Sequence, residues 1–333
     1  MSSIIVTAGK NDYFIACLDS LAKQSYYPIE IIIIDNSLNY DVNGRIKKVC
    51  PLAKVYFSPR NLFYCEALNK GISLSNGIFV LCLNDDVVLD KNFVSAAVRG
   101  FYIDERVGMV SGKIMRTDKK TIDSTGLFLS RWRTAKERGY GLRDAGRFEK
   151  EEYVFGVNGA VAFYRKRMLE KIKINSEYFD SDFCIFYEDL DIAWRARNFG
   201  WQAYYIPQAI AYHARGGTAR GKKGIGKSFA RRYLDDDLCA DLIKNRWLAI
   251  IKNETWLGFL SFWPFIVLYD CAAAAYLIFF RPKVMKKLIA GILKYARSAL
   301  NKRKLLSRYH YCNSSVLRSA CRSHCEPRRG AAI

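Results

Sequence analysis

Two short runs constrain this chain most. Glu30–Ile34 rises into four consecutive isoleucines and breaks off at Asp35-Asn36-Ser37, and Ile78–Leu83 is almost wholly apolar and stops at Asn84-Asp85-Asp86. A strand with one wet face alternates apolar and polar residues, so runs without alternation predict strands covered on both sides. Strands of that kind belong to a parallel sheet under crossover helices. The neighbouring segments agree. Ile4–Thr7 and Lys54–Phe57 read as further strands, and the stretches between carry helical spacing, Phe14, Cys17, Leu18 and Leu21 in one and Ala67, Leu68 and Ile72 in another. Asn11-Asp12 offers capping chemistry for the first helix. The expected class is α/β.

In open α/β sheets ligands bind beyond the carboxyl ends of the strands. Asp35 and the Asn84-Asp85-Asp86 group both fall there. Asp and Asn also close strands simply because they favour turns, and Asp35 alone says no more than that. Three consecutive oxygen-bearing side chains after a buried strand favour a cation or ribose site. Residues 116–156 are less regular and rich in Arg, Lys, Gly and aromatics, among them Arg131-Trp132-Arg133 and Tyr140. A strand returns at Gly159–Tyr164, followed by a basic helix start at Arg165-Lys166-Arg167. In Phe186–Arg195, Asp191 and Arg195 stand four apart, a helical ion-pair spacing that puts Glu188 and Asp189 in the first turn. His213, the only histidine before residue 310, ends the strand-like run Ala209–Tyr212 and precedes Arg215-Gly216-Gly217-Thr218. A histidine at a strand end beside a glycine-rich basic loop is a candidate ligand.

As an ordered set, SIIVT, IIIIDNS, Asn61 with Asn69-Lys70-Gly71-Ile72, LNDDVVLD, VNGAVAFYRKRML, FYEDLDIAWR and AYHARGGT resemble the family 2 inverting glycosyltransferases of GT-A fold. The likeness runs over roughly residues 3–300 and is nearest to the rhamnosyltransferase-like branch. It implies a Rossmann-like nucleotide-binding sheet flanked by helices. Asn84-x-Asp86 stands where the family has its DxD-type motif, Glu188-Asp189 matches the motif that supplies the base, and His213 matches the metal-binding histidine. The resemblance therefore implies Asp86 and His213 as ligands of a divalent cation (Mn2+ or Mg2+) and Asp189 as catalytic base, with Glu188 beside it. Thr7, Asp35, Asn61, Asn84 and Asp85 would contact the donor nucleotide, and Thr218 its diphosphate. The sequence departs from the family twice: Ala8-Gly9 replaces the commoner Tyr-Asn, and Leu62-Phe63 follows Asn61 where a glycine is usual.

Charge divides the chain. Of 53 basic and 32 acidic residues, 24 and 7 lie after His213, so the last third faces anions. Within it, Trp256–Phe280 has a single charge, Asp270, and one proline, Pro264. Twenty-five residues suffice to span a bilayer, yet both flanks are basic, which opposes spanning under the positive-inside bias. The expectation is a dip or in-plane hairpin broken near Pro264 on an anionic membrane surface, followed by an interfacial segment with Val284, Leu288, Ile292 and Tyr295 on one side. A buried hairpin is the alternative. No nucleic-acid motif accompanies the charge, so nucleic acid is not an expected partner. Residues 221–228 satisfy G-x-x-x-x-G-K-[ST], but they follow the last convincing strand instead of linking a buried strand to a helix, so a mobile lid over a diphosphate is expected there, not an NTPase loop. The ten cysteines include several in apolar runs, and the N-terminus does not read as a signal peptide, which suits a reduced cytosolic setting. His310, Cys312, Cys321, His324 and Cys325 match no closed zinc-site spacing.

These readings predict a catalytic domain over 1–230, a basic helical membrane-associated region over 231–308, and a disordered basic tail over 309–333. The expected activity is metal-dependent inverting transfer of a sugar from a nucleotide-diphosphate donor to a lipid-linked glycan, on the cytoplasmic face of the membrane and in cell-surface polysaccharide synthesis. At subfamily level the likeness points to rhamnose. The alternative from another class is a catalytically silent membrane-surface adaptor that keeps the shell.

Overall fold

A computed structural model of the chain describes residues 1–9, 12–38, 42–215 and 230–307. Thr218, the glycine- and lysine-rich stretch 221–228 and the Cys/His residues after 308 lie outside the described residues.

The core is a ten-stranded sheet. Its main path runs β10 (Glu152–Val154), β12 (Gln202–His213), β6 (Val107–Arg116), β11 (Val161–Arg165), β4 (Phe79–Asn84), β1 (Ser2–Thr7), β2 (Glu30–Asp35), β3 (Lys54–Phe57). Strands β1 to β4 pair in parallel, as do β6 and β12, while β11 runs antiparallel between β4 and β6. Short β5 (Val87–Leu89) and β7 (Ile122–Ser124) pair antiparallel with β12 and β6. A separate hairpin joins β8 (Leu127–Leu129) to β9 (Ala135–Glu137).

The unbroken apolar runs divide by alternation between two cores. Ile4, Ile32, Ile34, Val80 and Cys82 face one side, under α3 (Phe63–Leu74), α5 (Lys166–Ile172) and α6 (Glu188–Asn198). Ile5, Ile31, Ile33, Leu81 and Leu83 face the other, under α1 (Phe14–Ala22), α2 (Val42–Val49) and α4 (Phe93–Gly100). Both faces are dry, which is why these strands tolerate no polar residue until their ends. The first helix differs from expectation at its start: Tyr13 occupies the N-cap and its side chain does not cap the helix, and Asn11 lies outside the described residues.

Three helices complete the chain: α7 (Asp236–Asn253), α8 (Trp256–Phe280) and α9 (Pro282–Ser307). Here the structure corrects two expectations. Pro264 does not break α8, which continues through it. Proline removes one backbone donor and crowds the preceding turn, and in an otherwise strong helix that costs a bond without ending it. The chain reverses instead at Arg281-Pro282. The apolar side of α9 is also not free for an interface: Val284 and Leu288 are buried with Cys239, Ala240 and Ile243 of α7 and Leu277 of α8, and Ile292 packs against them. Tyr295 packs on the main core. The seven described cysteines are all free; Cys271, one of those in an apolar run, is exposed on α8 instead of packed.

Candidate active site

Register brings the strand-end residues to one edge. Thr7 lies opposite Asp35, and Val6 opposite Asn84, so the ends of β1, β2 and β4 open together. Thr7 donates to Asp85 at 2.7 Å, and its hydroxyl accepts from the Gly9 amide at 3.0 Å. Asp35 is buried; one carboxylate oxygen accepts from the Ser37 amide at 2.8 Å, and the other is buried without a partner among the described residues. A buried orphan acceptor at a strand end suits a donor brought by a ligand. Asn61 belongs to the same rim: its Oδ1 accepts from Asn36 Nδ2 at 3.1 Å and from the Phe63 amide at 2.8 Å. Phe63 holds φ at +53°, so the position where the family usually has glycine keeps the left-handed backbone with a side chain in place.

Asp86 and His213 meet because β12 pairs with β5. His213 lies opposite Val87, and its Nε2 sits 3.2 Å from Asp86 Oδ1. Its other nitrogen, Nδ1, is 2.9 Å from Asp123 on β7. Burial disfavours the charged ring, but the hydrogen bonds to Asp123 and Asp86 outweigh it and push its pKa up to about 9. Asp123 is wholly buried and also takes two bonds from the Arg215 guanidinium, at 2.6 and 3.0 Å. Among the described residues no cluster of three or more His, Cys, Asp or Glu could hold a metal ion. The donor set nonetheless fits a divalent cation shared with a ligand. It offers one carboxylate and one imidazole, with the ring steered from behind by a second carboxylate, the outer-shell device common to metal-binding histidines.

The third cluster forms where α6 begins. Phe186 and Tyr187 both hold positive φ, 69° and 68°, just before Glu188. Asn245 of α7 steadies that turn, its Nδ2 lying 2.7–2.9 Å from the carbonyls of Phe183, Ile185 and Phe186. Strained backbone at one point, held by a buried amide from another helix, is characteristic of functional sites. Asp189 is partly exposed and accepts from the Gly159 amide at 3.1 Å and the Leu190 amide at 2.7 Å. Glu188 is buried, with Oε2 unpartnered among the described residues. Burial raises both carboxyl groups above their usual range, and for Glu188 the Asp189 charge adds to the effect. Gly159 sits close against both acids: a Cβ there would lie 3.3 Å from Glu188 Oε1 and 3.4 Å from Asp189.

Tyr64 ties this cluster to the strand ends, its hydroxyl lying 2.8 Å from Asn84 Oδ1 and 3.2 Å from the Gly159 carbonyl. Glu137 ties it to the histidine. It accepts from Ser124, the neighbour of Asp123, and from Asn158 at 2.6 Å, the neighbour of Gly159. Burial and the Asp189 charge push Glu137 up to about 8. Asp123, Glu137, Tyr64 and Asn245 were not singled out from the sequence. Asp123 and Glu137 sit in three-residue strands too short to show a period, and Asn245 acts across 60 residues of chain. Thr218 lies outside the described residues, so its expected part is not placed.

Three solved structures share this architecture. GalNAc-T7, solved with UDP, GalNAc and Mn2+, gives a TM-score of 0.56 at 14% identity, covering 75% of this chain and 48% of its own. The mannosyltransferase PcManGT from Pyrobaculum calidifontis, in complex with GDP-Man and Mn2+, gives 0.53 at 16%, covering 92% and 78%. S. aureus TarS, residues 1–349, in complex with UDP-GlcNAc, gives 0.58 at 16%, covering 92% and 90%. At such identities the likeness is one of fold, and this chain spans about half the length of the first. No curated protein matches the sequence. The model of the family described as Glycosyl transferase family 2 matches residues 2–173, just over half of the chain. With its α/β sheet of GT-A form, the chain belongs to glycosyl transferase family 2.

Proposed function

We propose that this protein is a cation-dependent, inverting glycosyltransferase that moves a sugar from a nucleoside-diphosphate donor to a hydroxyl of a lipid-linked glycan. The observation that carries the reading is the junction of three parts at one sheet edge: the strand-end set Thr7, Asp35, Asn61, Asn84 and Asp85, the Asp86–His213 pair, and the Glu188–Asp189 pair, which has no counter-charge among the described residues.

In this reading the rim residues bind the nucleotide, with the orphan oxygen of Asp35 accepting from its base or ribose. Asp86 and His213 would hold Mn2+ or Mg2+, which when bound neutralises charge on the diphosphate leaving group. Asp189 is the base. It takes the proton of the acceptor hydroxyl as that oxygen bonds to the anomeric carbon and the bond from that carbon to the diphosphate oxygen breaks on the opposite face. The Gly159 and Leu190 amides fix its carboxylate, and burial keeps it basic. Thr218 and the basic stretch after Arg215 would close on the diphosphate.

The finer parts of the proposal are a rhamnosyl donor, a role in cell-surface polysaccharide synthesis, a catalytic domain over 1–230, a membrane-associated helical region over 231–308 and a basic tail beyond. One apolar helix long enough to cross a bilayer and the basic last third support attachment to the cytoplasmic face of the membrane. The test is turnover against a panel of nucleotide sugars with Mn2+ or Mg2+. Metal-dependent release of one nucleoside diphosphate is the expected result. Absence of turnover and of binding for every donor would overturn the assignment and favour a silent adaptor.

A further inference from the structure

Helix α8 has two unlike sides. On one, Ile266, Ala273 and Leu277 are buried, Arg133 sits over the Phe262 ring at 4.1 Å, Trp132 meets Phe265 edge-on at 5.5 Å, and Asp270 pairs with Arg246 of α7 at 2.7 Å. The only charge of the helix is thus turned inward and cancelled. The other side exposes Trp256, Leu260, Trp263, Val267, Leu268 and Phe279 along its length, with no charged residue. At 1.5 Å per residue that ridge is about 35 Å long. Water-facing surfaces of soluble monomers do not carry an apolar patch of that extent without an occupant.

Charge says what the occupant is. Helix α9 packs beside α8 and contains no acidic residue. Its outward positions interleave Ile289, Leu293 and Leu300 with Lys286, Lys294 and Arg297. A second copy of the chain would bring the same positive rim to the ridge and be repelled, whereas anionic lipid headgroups complement it. Tryptophan on the outer side is suited to the boundary between headgroups and acyl chains.

We propose that α8 lies flat in the interfacial layer of an anionic bilayer, its outer ridge among the acyl chains and the lysines and arginine of α9 at the headgroups. The inference rests on the membrane attachment proposed above and decides its form. Length alone would let α8 span. Spanning would drag its inner side through hydrocarbon, and that side is bound to the catalytic body: Arg246 belongs to α7, and Arg133 also pairs with the buried Glu254. A flat helix keeps every one of those contacts and immerses only the ridge.

The experiment uses the full chain and vesicles of phosphatidylcholine with or without phosphatidylglycerol. The protein is expected to sediment with the anionic vesicles, and both Leu260→Glu/Leu268→Glu and Lys286→Glu/Lys294→Glu/Arg297→Glu should weaken binding by about tenfold or more. Donor turnover should be unchanged in both, which shows that the variants fold and reports on the catalytic reading separately. Depth settles the orientation. In a background with Cys271, Cys312, Cys321 and Cys325 replaced by serine, fluorophores placed through Leu257→Cys, Val267→Cys and Ile278→Cys should be quenched to equal extents by shallow lipid quenchers. Deep burial at 267 with shallow ends would overturn the flat arrangement while leaving attachment intact. Failure to bind any vesicle, or a dimer in solution that Leu268→Glu dissociates, would overturn both.

Discussion

Helix α6 carries two kinds of acid within its first turn. Asp191 is wholly buried and fully answered: Arg195 at 3.0 Å, Lys252 at 2.9 Å and Asn253 at 2.7 Å surround it. Lys252 in turn pairs with Asp180, which also takes Lys302 of α9, so this end of the helix is nailed to α7 and α9. Glu188 and Asp189, in the first turn, have no cation in ion-pair range among the described residues; they have backbone amides, an orphan oxygen and each other. Neutralised acids build the scaffold that holds the helix. Acids left with raised proton affinity are what a base at neutral pH requires.

The largest expected effect separates the two kinds most sharply. Asp189→Asn keeps the size and the bond from Gly159 but removes basicity, so turnover should fall by roughly 10²–10⁴-fold while donor binding stays as in the wild type. Turnover near the wild-type rate would erase the distinction. Asp191→Asn should do the reverse, leaving Arg195 and Lys252 short of counter-charge and costing about 3–5 kcal/mol of stability in denaturant titrations, with residual folded enzyme still binding donor. If Asp191→Asn melts like the wild type, the ion network is ornamental.

Smaller effects sharpen the comparison through pH. Asp189 acts only when ionised, and burial raises its proton affinity, so kcat/KM should climb with pH over a range above that of an ordinary aspartate. In this pair the Asp189 charge raises Glu188 and not the reverse, so Glu188→Gln should leave that limb in place, with a milder loss of maximal rate. A dead Glu188→Gln enzyme beside an active Asp189→Asn would move the base one residue back. Glu137 makes a stability prediction. The unfolded chain ionises it near the ordinary glutamate value of about 4.3, whereas the fold holds its proton to about 8. Its contribution is therefore present at low pH and lost as pH climbs between those values. Glu137→Gln should reduce the fall of stability across that window by about 1.4 kcal/mol per pH unit, the linkage of one proton. An unchanged pH slope would show that Glu137 is already ionised.

Much of this was legible in the sequence for a physical reason. A strand buried on both faces cannot hide a polar residue, so Ile31–Ile34 and Phe79–Leu83 announce themselves, and the acids that end them mark the ligand edge. Helical spacing likewise exposed Glu188, Asp189 and the Asp191–Arg195 pair. What could not be read acts through space. Asp123 steers His213 from 90 residues away, and Glu137 joins the neighbours of Asp123 and Gly159 from a hairpin without periodicity. The C-terminal helices misled for a related reason: α9 is amphipathic, but periodicity does not say whether its apolar side meets a membrane or, as here, α7. Lys302 reaching Asp180 and Asp182 also makes α9 part of the body, so point variants probe its role where truncation would uncover the core.

The most direct test of the account is calorimetric titration of UDP, GDP and dTDP into the protein with Mn2+ and then with EDTA, for the wild type and for Asp86→Ala and His213→Ala. One nucleotide should bind the wild type in Mn2+, with the affinity falling by about tenfold or more in EDTA and in either variant. Equal affinity with and without the cation, in wild type and variants alike, would contradict the assignment of Asp86 and His213 and the reading built on them.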